Sequence, residues 1–140
     1  SAWDSDPRHR GPYRGLAAFA RDGGGPRVEH EWQREFPGSI TVCDREGIIL
    51  QMNDQAARVF AADGGRRLVG TNVLDCHPEP ARSKLAALLA SHQTNVYTIE
   101  KQGVKKLIYQ APWYRHGEPA GMVEIAVEIP AELPHFVRGS

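Results

Sequence analysis

From Val104 to Ile129 the chain alternates. Leu107, Tyr109, Ala111 and Trp113 fall on one side, with Lys106, Gln110 and Tyr114 on the other. After Arg115-His116-Gly117-Glu118, the residues Val123, Ile125, Val127 and Ile129 take one side, and Glu124, Ala126 and Glu128 the other. A sustained period of two is the signature of half-buried strands, here two long ones joined by a tight turn, with one face packed and one face wet. On this reading the apolar set is the packed face and Gln110 points outward.

The rest of the chain supplies partners for this hairpin. Ser39 to Cys43 is a short strand rich in β-branched residues, Asp44-Arg45-Glu46-Gly47 turns it, and Ile48 to Met52 returns. Asn53 is a helix N-cap with Asp54 in the first turn, and Ala56, Ala57, Phe60 and Ala61 form a small-residue face that Gly64-Gly65 ends. Arg66 to His77 is too irregular for one long element and reads as a loop with one or two helical turns. A helix follows from Pro80 to Ser91, with Ala81, Leu85, Leu88 and Leu89 as its buried stripe. Asn95 to Lys101 is a third strand with Tyr97 and Ile99 on one face, turned by Lys101-Gln102-Gly103 into the hairpin, and Pro130 closes the last strand. The order strand, strand, helices and three strands describes an α+β domain, a five-stranded antiparallel sheet with helices packed on one face.

Outside residues 37–130 the signals are weaker. Residues 1–27 are punctuated by proline and glycine and read as a flexible arm. Val28, Trp32 and Phe36 recur at every fourth position, the stripe of a short amphipathic helix over 28–36 that must bury itself on the sheet or on a second subunit. Residues 131–140 form a short tail.

Composition narrows the function. Seventeen basic residues balance seventeen acidic ones, without the surplus that a general nucleic-acid binder needs. No run of 18 apolar residues is present to span a membrane, and no signal peptide is visible. Cys43 and Cys76 form no CxxC pair and read as reduced thiols in a cytoplasmic setting.

Taken together, these segments resemble a PAS domain, the sensory module of many bacterial signalling proteins. Pro37 to Ile49 is similar to the family's opening hairpin, Met52-Asn53-Asp54-Gln55-Ala56-Ala57 to its "N-x-x-A" first helix, and Leu68-Val69-Gly70-Thr71-Asn72-Val73-Leu74 to the segment before its long helix. Leu74 to Pro78, Asn95 to Lys101 and Leu107 to Tyr114 further resemble the PAS subgroup found beside domains of unknown function and hemerythrin-like domains. The resemblance covers Phe36 to Ile129. It implies a cavity between sheet and helices open to a small-molecule ligand, though it transfers none, because PAS ligands differ from member to member; it also implies homodimerisation through the N-terminal helix (Val28, Trp32 and Phe36) and further domains of a larger signalling protein.

Candidate site residues follow. His77 stands at the entry to the covering helix, where some PAS domains ligate heme; the plainer reading is a cap on Asp75 or on a backbone carbonyl. Cys76 beside it adds a thiol, but His30, His92, His116 and His135 are scattered without metal-ligand spacing, so no metal site is expected. Tyr97, Tyr109 and Trp113 are aromatic surface for a cavity wall or for ordinary packing. Cys76 lies in Asp-Cys-His-Pro, unlike the flavin-adduct motif of light-sensing relatives. Gly23 to Gly25 lacks the GK[ST] of a phosphate loop, and no G-x-S-x-G occurs. The expectation is a sensory or dimerisation module and not an enzyme.

Overall fold

The computed structural model describes residues 31–139. The chain divides into two compact units, Ser1–Gln33 and Arg34–Ser140. The arm 1–27 and Val28 lie outside the described residues. Of the expected helix over 28–36, the described residues 31–35 run as turns, with Trp32 52% exposed. Pro37-Gly38 follows at once, and Gly38 passes so close to Phe36 and Val127 that a Cβ on it would lie 2.8 Å from Phe36 Cε2 and 2.7 Å from Val127 Cγ1. Residues 131–139 carry no regular element.

The second unit contains β1 (Ser39–Asp44), β2 (Ile49–Met52), α1 (Asp54–Val59), 3₁₀ turns at Ala61–Asp63, Gly65–Leu68 and Val73–Cys76, α2 (Ala81–Ser91), β3 (Asn95–Lys101), β4 (Val104–Arg115) and β5 (Glu118–Ile129). The strands form one antiparallel sheet in the order β2-β1-β5-β4-β3. This is the expected α+β architecture.

Local chemistry explains the joints. Asp44 Oδ1 accepts from the backbone N–H of Glu46 and Ile48, holding the β1–β2 turn. Asn53 is buried and joins three elements. Its Oδ1 accepts from Ala56 N–H at 3.0 Å as the α1 cap and from Ile40 N–H at 2.9 Å, while its Nδ2 donates to Gly38 O at 2.8 Å. The irregular segment before α2 is stitched to the β2 edge. Ile49 N–H donates to Thr71 O, Gly70 N–H to Ile49 O and Val73 N–H to Gly47 O. Those bonds satisfy an edge strand that would otherwise be open.

Which face the helices cover departs from the sequence reading. Directly opposed residues of an antiparallel sheet share a face. Cys43 and Met122 pack with Leu85 of α2, and Ile49 and Met52 with Ala56 of α1, with Val73, Leu74 and Phe60 closing around them. The covered face is therefore the one carrying Met122, Glu124 and Ala126 with Ile108 and Gln110. Gln110 is 7% exposed and not outward. The Val123, Ile125 and Val127 face, with Leu107 and Tyr109, is the one turned away from α1 and α2. The alternation separates two faces, but the apolar residues of the helices, Leu85, Phe60 and Leu68, make up the core against a face of mixed polarity.

Candidate functional site

A cleft of about 660 Å³ lies between α2 and the sheet. Lys84, Leu85 and Leu88 line it from α2, and Phe60 and His77 from the connecting segments. Tyr97 and Ile99 of β3, Ile108 and Gln110 of β4, and Glu124 and Ala126 of β5 form the opposite wall. A smaller cavity of about 140 Å³, lined by Met52, Leu68, Val73, Cys76 and Met122, adjoins it. Phe60, His77 and Glu124 line both.

The register of the sheet places Asn95, Gln110, Glu124 and Thr41 opposite one another in a single row. Within it, Asn95 Nδ2 donates to Gln110 Oε1 at 3.0 Å, and Gln110 Nε2 donates to Glu124 Oε2 at 2.8 Å. The direction of this chain is set by its end. An ionised carboxylate only accepts, so Gln110 must turn its NH₂ to Glu124 and its carbonyl to Asn95, which must then donate. Both hydrogen bonds of the row run toward the carboxylate. Tyr97 stands one row along on the same face, opposite Ile108. Burial raises its phenol pKa above the ordinary value, and the Glu124 charge adds to the shift.

His77 is half-buried at the mouth of α2. Its Nδ1 lies 2.7 Å from Val73 O. A carbonyl cannot donate, so Nδ1 carries the proton, and in the neutral ring Nε2 keeps its lone pair. The Arg82 guanidinium Nε donates to the Leu74 and His77 carbonyls, fixing the loop that presents the ring. Cys76 is exposed, whereas Cys43 is buried, and burial pushes the Cys43 thiol pKa up, with Asp44 and Glu124 adding to the shift and a hydrogen bond to the Met122 backbone opposing it. Among the described residues no group of three His, Cys, Asp or Glu side chains comes together as a metal site.

The five ligand residues expected from sequence are thus divided. His77, Cys76 and Tyr97 border the cavities. Tyr109 pairs with Ile125 and Trp113 lies opposite Gly121, both on the other face of the sheet. Trp113 is held there by its indole N–H, which donates to Cys43 O at 2.9 Å across β5, and by the Arg115 guanidinium stacked 5.1 Å from its ring centroid. Gly121 leaves the room for this, since a Cβ on it would run into the Cys43 carbonyl oxygen.

Sequence reasoning missed Asn95, Gln110 and Glu124. A signal for the first pair existed: the two-residue turn at Gln102-Gly103 fixes the β3–β4 register and puts Asn95 opposite Gln110. The bulge between Trp113 and Tyr114 shifts the β4–β5 register by one, which hides the Gln110–Glu124 pairing from any count through the second turn.

No family model and no curated protein sequence matches the chain. Solved structures do. The PAS domain of BvgS from Bordetella pertussis is 18% identical, with 70% of this chain and 81% of that one covered, at a TM-score of 0.53. The PAS domain of histidine kinase ThkA is 16% identical over 64% of this chain and 98% of that one, at 0.52. A sensory box sensor histidine kinase from Vibrio cholerae is 14% identical over 83% of this chain and 98% of that one, at 0.52. The chain has the PAS fold.

Proposed function

We propose that this domain is a PAS sensory module that takes a small molecule into the cleft between α2 and the sheet. The observation that carries the reading is the cleft itself: about 660 Å³ of space with largely apolar walls and the polar row Asn95–Gln110–Glu124, with His77, Lys84 and Lys106 also lining it. Apolar walls with a few convergent polar groups are the usual build of a ligand site. Occupancy would bias the packing of α2 on the sheet and be passed along β5, which carries Glu124, or along the segment before β1. Such a device works only through a ligand that binds two states unequally. The same reading places the domain in a larger, bacterial signalling protein, of the PAS subgroup found beside hemerythrin-like domains, acting in the cytoplasm. It is a binding module and not an enzyme.

The test is direct. Protein purified from its expression host is denatured, and the released small molecules are identified by mass spectrometry. Amide signals of β3, β4 and α2 are then followed by NMR as a metabolite library is added. A compound that shifts those signals and raises the melting temperature supports the reading. A library that leaves every signal in place sinks it.

One observation favours a second ligand, heme. The His77 Nδ1 is committed to Val73 O, which leaves Nε2 as the axial donor and fixes the ring, as second-shell carbonyls do for ligating histidines. The carboxylate-ended row suits a hydrogen-bond donor better than a macrocycle, so this reading stands behind the first. Hemin should then give a Soret band that His77→Ala abolishes; a flat spectrum excludes it. Homodimerisation through Trp32 and Phe36 belongs to the same proposal, on the strength of a tryptophan 52% exposed. Light scattering of Trp32→Glu decides it, since a variant that stays dimeric removes this interface.

A further inference from the structure

We propose that the ligand of this cleft is a small organic cation, a primary or secondary amine on an apolar body, held by Glu124. The inference rests on the sensory reading above and deepens it.

The argument starts from the hydrogen-bond chain. Asn95 donates to Gln110, and Gln110 donates to Glu124 Oε2. One N–H of each amide is spent within the row; besides the second N–H of each, the row offers the cleft two acceptors, the remaining carboxylate oxygen of Glu124 and the carbonyl oxygen of Asn95. Among the described residues Glu124 forms no ion pair. Glu124 is half-buried, one of its oxygens takes a neutral amide, and the other is open to an ammonium group in the cleft. Two lysines, Lys84 and Lys106, also line the cleft, and neither forms an ion pair with Glu124. Lys106 lies opposite Glu128, two rows along the sheet from Gln110. Lys84 is on an exposed turn of α2.

The wall beside the carboxylate sets the rest of the molecule. The next row is Tyr97, Ile108 and Ala126, and Leu85 and Leu88 face it from α2. That is an apolar slot one row away from the charge, sized for an aryl or short alkyl group. Beside Glu124 a carboxylate or phosphate would meet a like charge.

Three isosteric probes separate the possibilities in the wild-type protein: phenethylamine, 2-phenylethanol and 3-phenylpropanoate, each titrated by NMR at pH 7. Phenethylamine is expected to bind more tightly than the alcohol by about tenfold or more, the worth of one charge-assisted hydrogen bond, and the acid is expected not to bind. Glu124→Gln keeps the shape and removes the charge. It should weaken phenethylamine by a similar factor and leave 2-phenylethanol unchanged. Should that variant fold poorly, the wild-type ranking of amine over alcohol carries the test by itself. Equal or tighter binding of the alcohol or the acid overturns the cation assignment and leaves the cleft as a ligand site. Absence of binding by all three overturns the cation assignment, and the metabolite titration above then decides the cleft.

Discussion

Gln110 and Glu124, on adjacent strands under α2, share a 2.8 Å hydrogen bond in which the amide is the donor. Both residues sit on the face that the helices cover, where an unmade bond is costly. Replacing Gln110 with leucine removes the donor to Glu124 and the acceptor for Asn95 together. The variant should lose about 1–3 kcal/mol of unfolding free energy in urea with an unchanged slope. A loss no larger than that of a surface substitution, about 0.5 kcal/mol, would show that the row adds nothing to the fold.

Asn53 ties β1 to α1 through three side-chain hydrogen bonds. Asn53→Ala removes the helix cap, worth about 1 kcal/mol, and strands the buried Ile40 N–H, at about 1–3 kcal/mol. A combined loss of about 2–4 kcal/mol is expected. Asn53→Ser keeps a side-chain oxygen suited to cap α1, so its loss should be smaller. Equal melting temperatures for the two variants would contradict this ranking.

Tyr97 makes stability depend on pH at the alkaline end. Its phenol pKa is raised in the folded state, by burial first and by Glu124 second. The folded protein therefore prefers the protonated phenol. The associated stability is present below the ordinary phenol pKa of about 10 and is lost as pH rises through the folded value. Urea denaturation between pH 8 and pH 11 should show this decline in the wild type and a shallower one in Tyr97→Phe. Parallel curves would remove Tyr97 as its source.

The two thiols should react in separate phases. Cys76 is exposed, while Cys43 is buried and its thiol pKa is raised by that burial. With a disulfide reagent at pH 8, one thiol per chain should be titrated quickly, and Cys76→Ser should abolish that phase. Cys43 should follow only as the domain opens, and its slow phase should speed up in urea. Two equally fast thiols would mean that the packing of Cys43 against Leu85 and Met122 opens readily.

The element boundaries were legible because their signals are local. Asn53 caps α1, Asp44 holds its own turn, and β3 runs over Asn95–Lys101 as its β-branched and aromatic residues indicate. The covered face was not legible. Val123, Ile125 and Val127 make the cleaner stripe, yet α1 and α2 lie on the side of Glu124, because Gln110 donates to one oxygen of the carboxylate and the helices carry their own apolar residues. Register decides that pairing, and one bulge at Trp113/Tyr114 was enough to move it. His77, Cys76 and Tyr97 line the cavities, while Tyr109 and Trp113 lie on the far side of the sheet.

The strand order β2-β1-β5-β4-β3 puts the last strand made at the centre of the sheet. Until β5 leaves the ribosome, β1–β2 and β3–β4 are two separate ribbons with nothing between them, and isolated two-stranded ribbons are marginal in water. The domain therefore completes its fold in one late step, when the final strand enters between two waiting edges. Glu124 arrives on that strand, so the polar row and the cleft above it come into being only with the finished sheet. A nascent chain stalled before Ile129 should display unpaired strand edges and be a client for chaperones, whereas the completed chain should not.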